Sequence, residues 1–246
     1  MKFVTVQASA FKTAFEVLKD ILNDTNIYFE PNGFRILTLD TARAALVDMF
    51  LPSTNFEVYE CTSHITAGIN VSNMYKLMKT ITNNDTLTFE ITDRDYLHIK
   101  IENTNKKTST KFQLKLLDIN EDIIEAPVVK MSVITTLPSV DFQRICRDMN
   151  NIGSDVDIIR HQDKFIIRCQ GDFANQETII ESNDEYNEDK LEGRYSLKYI
   201  NMFTKATTMC SSVQIMQESD NRFLILRYHV ANLGYMNFYL ATKVDE

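Results

Sequence analysis

Four segments of the chain carry pairs of basic residues at spacings that put both members of a pair on one face of a helix. The pairs are Lys12 and Lys19, Lys76 and Lys79, Arg144 and Arg147, and Lys198 and Lys205. Apolar residues recur at helical spacing through the same segments, so each is predicted to be an amphipathic helix. A face of Lys and Arg with few aromatic residues suits the phosphate backbone rather than base edges. The predicted ligand is duplex nucleic acid, bound without sequence preference.

The overall charge of the chain argues against a general nucleic-acid binder. The chain has 34 Asp and Glu against 26 Lys and Arg, a formal net charge of −8, whereas general nucleic-acid binders usually have a basic excess. A single basic pair on a helix is typical of a solvated outer face. Four equivalent helices with the same basic pairs, inside an acidic chain, instead favour one continuous basic surface.

The equivalence of the four helices comes from an internal repeat. Each segment follows a serine that is a candidate helix N-cap, and the serines are spaced by 63, 67 and 57 residues: Ser9, Ser72, Ser139 and Ser196. Two strand-like runs around a polar turn follow each helix. The turn residues lie 24, 23, 24 and 25 positions after the serines: Gly33, Asp95, Asp163 and Asn221. A unit of helix, strand, turn and strand therefore repeats about every 60 residues.

Two such units make each half of the chain. An acidic stretch without clear periodicity joins the halves, so we predict domains at 1–116 and 133–246 with a connector at 117–132. Alternating strands indicate antiparallel sheets with one buried face, covered by the helices. The predicted fold class is α+β, with two similar domains and four short helices.

The remaining composition indicates an intracellular protein without a metal or cofactor. The four cysteines are far apart, which favours free thiols in a reducing compartment, either cytosolic or nuclear. No stretch approaches the length of a membrane span, so no membrane partner is expected.

An enzyme is the first alternative. The candidate carboxylates are the pairs Asp93/Asp95 and Asp155/Asp157, and the histidines are His64, His98, His161 and His229. No histidine has metal-ligand spacing, and with only six glycines the chain has no Gly-rich phosphate loop. We therefore predict no catalytic residue, no metal site and no cofactor.

Five segments closely resemble the DNA sliding clamps of the proliferating cell nuclear antigen family. They are FQRICRDMNNIG, YINMFTKAT, LKDIL, NVSNMYKLMK and the C-terminal YLATKVDE, and the similarity runs in order from about Phe3 to Glu246. The resemblance implies a homotrimeric closed ring around duplex DNA, with the helices inside and the sheets outside. It also implies that the ring tethers DNA polymerase and other replication and repair proteins, and that an ATP-dependent clamp loader opens it. The expected location is the nucleus, or cytoplasmic replication sites if the source is a virus.

The resemblance also assigns two further sets of residues. Partner proteins of this family insert a short peptide, a Gln followed by an aliphatic and two aromatic residues, under the connector. The matching positions are Leu39, Arg43, Ala44, Leu46, Ile124, Ala126, Pro127, Tyr239, Leu240 and Ala241. Subunits of the family join through edge strands, which implies an interface at Phe112, Leu114, Cys146, Met149, Thr178, Ile179 and Ile180.

Two further alternatives keep the fold but change its use. The first is a paralogue that retains the ring as a scaffold with reduced DNA function, against which the eight basic positions argue. The second is a clamp that acts as a monomer or dimer.

Overall fold

The structure is a computed structural model that describes residues 1–40, 42–120, 124–129, 131–218, 220 and 222–243, without the side chains of 131, 132 and 182–189. The chain forms two compact units. The first comprises Met1–Thr41, Val47–Ala126 and His229–Met236, and the second comprises Ala42–Leu46, Pro127–Tyr228 and Asn237–Glu246.

The described residues of the first half of the chain form two α-helices, nine strands and a 3-10 turn at Ser53–Asn55. In chain order they are β1 (Lys2–Thr5), α1 (Ala8–Leu18), β2 (Asp24–Glu30), β3 (Gly33–Leu39), β4 (Ala45–Pro52), β5 (Val58–Glu60), β6 (Ile65–Asn70), α2 (Val71–Met78), β7 (Thr86–Glu90), β8 (Tyr96–Asn103) and β9 (Thr108–Lys115).

In the second half, the part of the chain that the structure describes forms two α-helices, six strands and a 3-10 turn at Thr204–Thr208. In chain order they are β10 (Met131–Pro138), α3 (Ser139–Met149), β11 (Asp155–Gln170), β12 (Asn175–Ser196), α4 (Leu197–Phe203), β13 (Ser212–Glu218), β14 (Phe223–Val230) and β15 (Gly234–Ala241).

Antiparallel pairing organises the strands of both units. In the first unit, β5, β1, β7, β8 and β9 form one sheet in that order, and β6, β2, β3 and β4 are neighbours in another. In the second unit, β10, β13, β14 and β15 are neighbours, and β11 pairs with β12 as a long ribbon. The predicted class, α+β with antiparallel sheets and four helices, is confirmed.

An aromatic cluster joins α1 to the sheets of the first unit. Phe3 of β1 is fully buried, and its ring lies 5.4 Å from Phe11 of α1 and 4.7 Å from Phe89 of β7, centroid to centroid. Apolar residues of α1 at helical spacing, among them Phe15 and Leu18, are buried as predicted. This burial leaves the opposite face of α1 for its polar side chains.

Polar side chains fix α2 and the loop that follows it. Asn70 accepts a hydrogen bond from the backbone N–H of Asn73 and so caps α2. After the helix, the buried carboxylate of Asp85 accepts hydrogen bonds from the backbone N–H and the hydroxyl of Thr82 and from the side-chain amide of Asn103. Burial opposes ionisation of Asp85, but these hydrogen bonds outweigh it and lower the pKa of the carboxyl.

In the second unit α3 and α4 pack side by side. The side-chain amide of Gln143 donates to the carbonyl of Thr204 at 2.8 Å, and that of Asn201 donates to the carbonyl of Cys146 at 3.3 Å. Below the helices, the ring of Phe203 stacks on that of Phe238 at 4.7 Å.

Of the four predicted serine N-caps, three are wrong and only Ser196 is at the predicted position. Ser9 and Ser139 lie inside the first turns of α1 and α3, and Ser72 lies inside α2, whose cap is Asn70. Ser196 is at the N-cap of α4, but its side chain makes no capping hydrogen bond. The hydroxyl of Ser139 instead donates to the carbonyl of Cys210. The four serines recur near the helix starts, but none of their side chains makes a capping hydrogen bond.

Three of the four predicted hairpins are present: β2–β3, β7–β8 and β13–β14. Asn221, the predicted turn residue of the last, lies outside the described residues. The predicted turn at 161–163 is absent, because β11 continues through it as one strand. The strand is irregular there: its register shifts on both sides of Gln162, which has a φ of 53°.

A short C-terminal segment completes the first unit. Leu233, between β14 and β15, is fully buried, and its carbonyl accepts a hydrogen bond from the side chain of Asn55. Beside it, the backbone N–H of Asn232 donates to the side chain of Gln7 at 3.0 Å. Residues 225 positions apart in sequence are therefore in direct contact.

Candidate nucleic-acid interface

In the first unit, the four predicted basic residues lie on two helices that contact each other. Lys76 and Lys79, in and directly after α2, are exposed, and the ammonium of Lys76 donates to the amide oxygen of Asn73 at 3.1 Å. Lys12 and Lys19, in and directly after α1, are half-buried. The ammonium of Lys12 donates to the carbonyl of Ile81 at 3.0 Å, which ties α1 to the end of α2.

A polar contact links Lys19 to α2. Its ammonium lies 2.9 Å from a carboxylate oxygen of Asp20 and 5.2 Å from the ring centroid of Tyr75. The hydroxyl of Tyr75 donates to the carboxylate of Glu16 at 3.0 Å. The hydrogen bond to Asp20 raises the pKa of Lys19 despite some burial. Lys19 is therefore charged and held in place.

In the second unit, the four predicted basic residues are all exposed. Arg144 and Arg147 lie on α3, Lys198 lies on α4, and Lys205 lies in the following 3-10 turn. Arg144 lies 3.3 Å from the carboxylate of Asp141. All eight basic residues thus lie on or directly after the four equivalent helices, and all except Lys12 and Lys19 are exposed.

The candidate carboxylates of the enzyme alternative make structural contacts. Asp155 pairs with Lys243, and Asp157 pairs with Arg194 at 2.8 Å. Asp93 accepts backbone N–H bonds from the turn before β8, first of all from Asp95, and these lower its pKa. Among the described residues, no group of three or more His, Cys, Asp or Glu side chains is placed to hold a metal ion.

The predicted partner-peptide residues lie in both units and differ in exposure. In the first unit Leu39, Ile124 and Ala126 are half-buried. In the second unit Arg43 and Ala241 are exposed, whereas Leu46, Tyr239 and Leu240 are buried; Ala44 and Pro127 are half-buried. Arg43 has a φ of 56°, in the left-handed region that non-glycine residues adopt uncommonly.

The start of the predicted connector is attached to the first unit. The backbone N–H of Leu117 donates to the carbonyl of Gly68 in β6 at 2.8 Å, and the amide of Asn26 donates to the carbonyl of Ile119 at 3.2 Å. A Cβ on Gly68 would lie 2.3 Å from the carbonyl oxygen of Leu117. The connector therefore crosses β6 where only a glycine leaves room for it. Residues 121–123 and 130 of the connector lie outside the described residues.

The predicted subunit-interface residues fall into two groups. Phe112 and Leu114 are half-buried on β9, the last strand of its sheet, and Ile179 on β12 is 52% exposed; Thr178 and Ile180 flank it. Cys146 and Met149 on α3 are fully buried within the second unit, so association of subunits cannot bury any more of their solvent-accessible surface. Burial also raises the pKa of the Cys146 thiol.

Comparison with known proteins identifies the family. The sequence profile of proliferating cell nuclear antigen, N-terminal domain, matches residues 1–124, and that of its C-terminal domain matches residues 125–243. The chain belongs to the proliferating cell nuclear antigen family. It is 36% identical to the probable DNA polymerase sliding clamp 1 of Paramecium bursaria Chlorella virus 1, over 96% of this chain and 94% of the relative. The resemblance predicted from the sequence is confirmed.

In this family member, sequence reasoning found the basic residues but missed their neighbours. Asp20, Asp141 and Asp148 lie within 4.0 Å of Lys19, Arg144 and Arg147 respectively. The spacing of Asp141 and Arg144, three residues apart on a helix, was a usable signal for one pair. Asp20 and Asp148 directly follow their partners, and adjacent residues do not normally face each other on a helix.

Proposed function

We propose that the protein is a DNA sliding clamp, a processivity factor that encircles duplex DNA without sequence specificity. The observation that carries the proposal is the placement of eight basic residues, six of them exposed, on or directly after four equivalent helices in a chain of net charge −8. Family membership supports it. The DNA-binding residues are Lys12, Lys19, Lys76, Lys79, Arg144, Arg147, Lys198 and Lys205.

The proposed assembly is a closed homotrimeric ring. An edge strand leaves backbone N–H and C=O groups unpaired and is an aggregation hazard unless another chain pairs with it. β9 and β12 fit such pairing, with Phe112 and Leu114 meeting Thr178, Ile179 and Ile180 of the next subunit. Cys146 and Met149 support this interface from within the second unit.

We also propose that the ring acts by tethering other proteins rather than by catalysis. DNA polymerase and other replication and repair proteins would bind through a clamp-binding peptide at the ten peptide-site residues, and an ATP-dependent loader would open the ring. The proposed domains are 1–116 and 133–246, with the connector at 117–132. The proposed location is the nucleus, or cytoplasmic replication sites if the source is a virus. In the described part of the chain, no helix combines the length and hydropathy needed to cross a membrane.

The solution mass tests the assembly. Three copies of the 28.5 kDa chain have a mass of about 85 kDa. Light scattering at that mass supports the trimer, whereas about 28 or 57 kDa would favour a clamp that acts as a monomer or dimer.

Charge reversal tests the DNA interface. We expect K76E, K79E, R144E and R147E together to abolish retention on circular duplex DNA and processive synthesis, while the solution mass stays unchanged. The reason is that phosphate contacts supply nearly all of the sequence-independent affinity. Unchanged processivity would contradict the proposal and favour a scaffold with reduced DNA function.

Substitution in the connector tests the partner site separately. Replacing Ile124 and Pro127 with Ser should weaken binding of a fluorescent peptide that contains a Gln, an aliphatic residue and two aromatic residues. Retention on circular DNA should not change. Equal peptide affinity in the variant and the wild type would refute this site.

A further inference from the structure

Basic residues on two of the four helices are paired with carboxylates. Lys19, at the end of α1, contacts Asp20 at 2.9 Å, and Arg144, on α3, contacts Asp141 at 3.3 Å. Arg147, also on α3, lies 4.0 Å from Asp148. Each pair is close enough for the carboxylate to compete with a phosphate for the same cation.

The other two helices differ in their charge. Neither α2 nor α4 contains an Asp or Glu. Lys76 of α2 contacts a neutral amide oxygen, and the ammonium of Lys198 on α4 lies 6.0 Å from the ring centroid of Tyr199. The two halves of the chain therefore repeat the same order: a helix with paired charges, then a helix with basic residues only.

Helix stability does not explain two of the three carboxylates. A carboxylate is favoured near the N-terminus of a helix and disfavoured near its C-terminus, because the last carbonyls carry partial negative charge. Asp141 is in the first turn of α3, where it is favoured. Asp148 is in the last turn of α3, and Asp20 directly follows the C-cap of α1. Their positions are better explained by the cations beside them.

We propose that α2 and α4 make the main contacts with DNA, and that carboxylates on and beside α1 and α3 neutralise Lys19, Arg144 and Arg147. The inference rests on the proposed clamp function. A phosphate that approaches Arg144 must displace Asp141 or share the guanidinium with it, so the net gain in affinity is small. A phosphate that approaches Lys76 displaces only a neutral amide. The paired charges on α1 and α3 would thus limit the affinity of the basic surface for DNA and leave the duplex free to move along it.

This division of roles, with α2 and α4 binding DNA more strongly than α1 and α3, is tested by removing equal charge from each pair of helices. Two triple variants lower the net charge of each subunit equally, from −8 to −11: K76A/K79A/K198A and K19A/R144A/R147A. Binding of a short fluorescent duplex to the intact protein is measured by anisotropy over a range of salt concentrations. Each phosphate contact contributes about 0.9 to the slope of log K against log salt. We expect the first variant to lose up to about 2.7 from this slope for each subunit that contacts the duplex, if each lysine contacts one phosphate, and the second to lose less than half of that.

Removal of the carboxylates tests the same inference from the other side. The variant D20N/D141N/D148N raises the net charge from −8 to −5, and so does the control D95N/D163N/D172N, whose residues are exposed and lie off the helices. We expect the first to bind the duplex roughly two- to fivefold more tightly than the control for each pair released. The melting temperature and the solution mass show whether each variant is folded and assembled.

The outcomes separate this inference from the proposed function. If the wild type does not bind the duplex, the clamp function fails and the division fails with it. If the wild type binds but the two alanine variants lose equal slope, the division alone is overturned. Equal affinity of the two asparagine variants overturns it too, because a uniform change in net charge would then account for the effect.

Discussion

Gly68→Ala should detach the start of the connector from the first unit. The added methyl group would lie 2.3 Å from the carbonyl oxygen of Leu117 and 2.9 Å from the side chain of Ile119. Backbone lies on both sides of the contact, so the clash cannot be relieved by a change of rotamer. The connector should move away from β6 and lose the hydrogen bond from Leu117 to Gly68 and that from Asn26 to Ile119.

The magnitude follows from those two bonds. Each contributes about 0.5–1.5 kcal/mol net, so their loss should lower the free energy of unfolding by about 1–3 kcal/mol. For a chain of this size that corresponds to a fall in melting temperature of roughly 2 to 12 °C. If the peptide binds only with the connector in place, its affinity should fall by no more than roughly 5- to 150-fold, the factor equivalent to the same free energy.

Three measurements check this expectation: calorimetry, hydrogen exchange at the Leu117 amide, and anisotropy of a labelled clamp-binding peptide. Asn26→Ala should have a smaller effect, because it removes one of the two bonds. Thr66→Ala, at an exposed site of the same strand, should have none. If the Leu117 amide of Gly68→Ala is as protected as in the wild type, the contact at Gly68 does not hold the connector and the reasoning is wrong.

Three other predictions concern stability and reactivity. Phe3→Ala should lower the free energy of unfolding by about 3–5 kcal/mol in denaturant titrations, because the Phe3 ring lies within 6.5 Å of six other aromatic rings. The pKa of Asp85 is lowered in the folded protein, so its carboxylate stabilises the fold above about pH 4 and this effect is lost as the pH falls below that. Asp85→Asn should therefore lower the free energy of unfolding more at pH 7 than at pH 3. Cys146 should react with a thiol reagent only after unfolding, whereas the half-buried Cys61 reacts in the native protein; rapid native labelling of Cys146 would contradict its burial.

The sequence was sufficient to predict the four helices and most of the strand pairing. Apolar spacing located the helices because each buries one face, as Phe11, Phe15 and Leu18 do in α1. Three of the four predicted N-caps were wrong, since several polar residues near a helix start can cap it, as Asn70 does in α2. The predicted turn at 161–163 failed because polar residues are also common in exposed ribbon strands such as β11.

Sequence spacing could not show how the charges are distributed in space. It identified the eight basic residues and their helical faces, but the contacts of Lys19 with Asp20 and Tyr75 depend on side-chain rotamers and on the packing of α1 against α2. The part of the first unit formed by His229–Met236 was also beyond prediction, because the repeat divides the chain into consecutive halves. This segment belongs to the first unit, although the rest of that unit ends at Ala126, about 100 positions earlier in the sequence.

The return of this segment affects how the protein folds during synthesis. A ribosome releases the N-terminal residues first, yet Gln7 and Asn55 can make these contacts only after Asn232 and Leu233 have been synthesised, 225 and 178 positions later. Until then the site that buries Leu233 is empty and the nearby backbone is open to other chains. The first unit therefore cannot finish folding until His229–Met236 has been translated. Nascent chains that stop before residue 229 should be more sensitive to proteases in this unit than chains that include the segment.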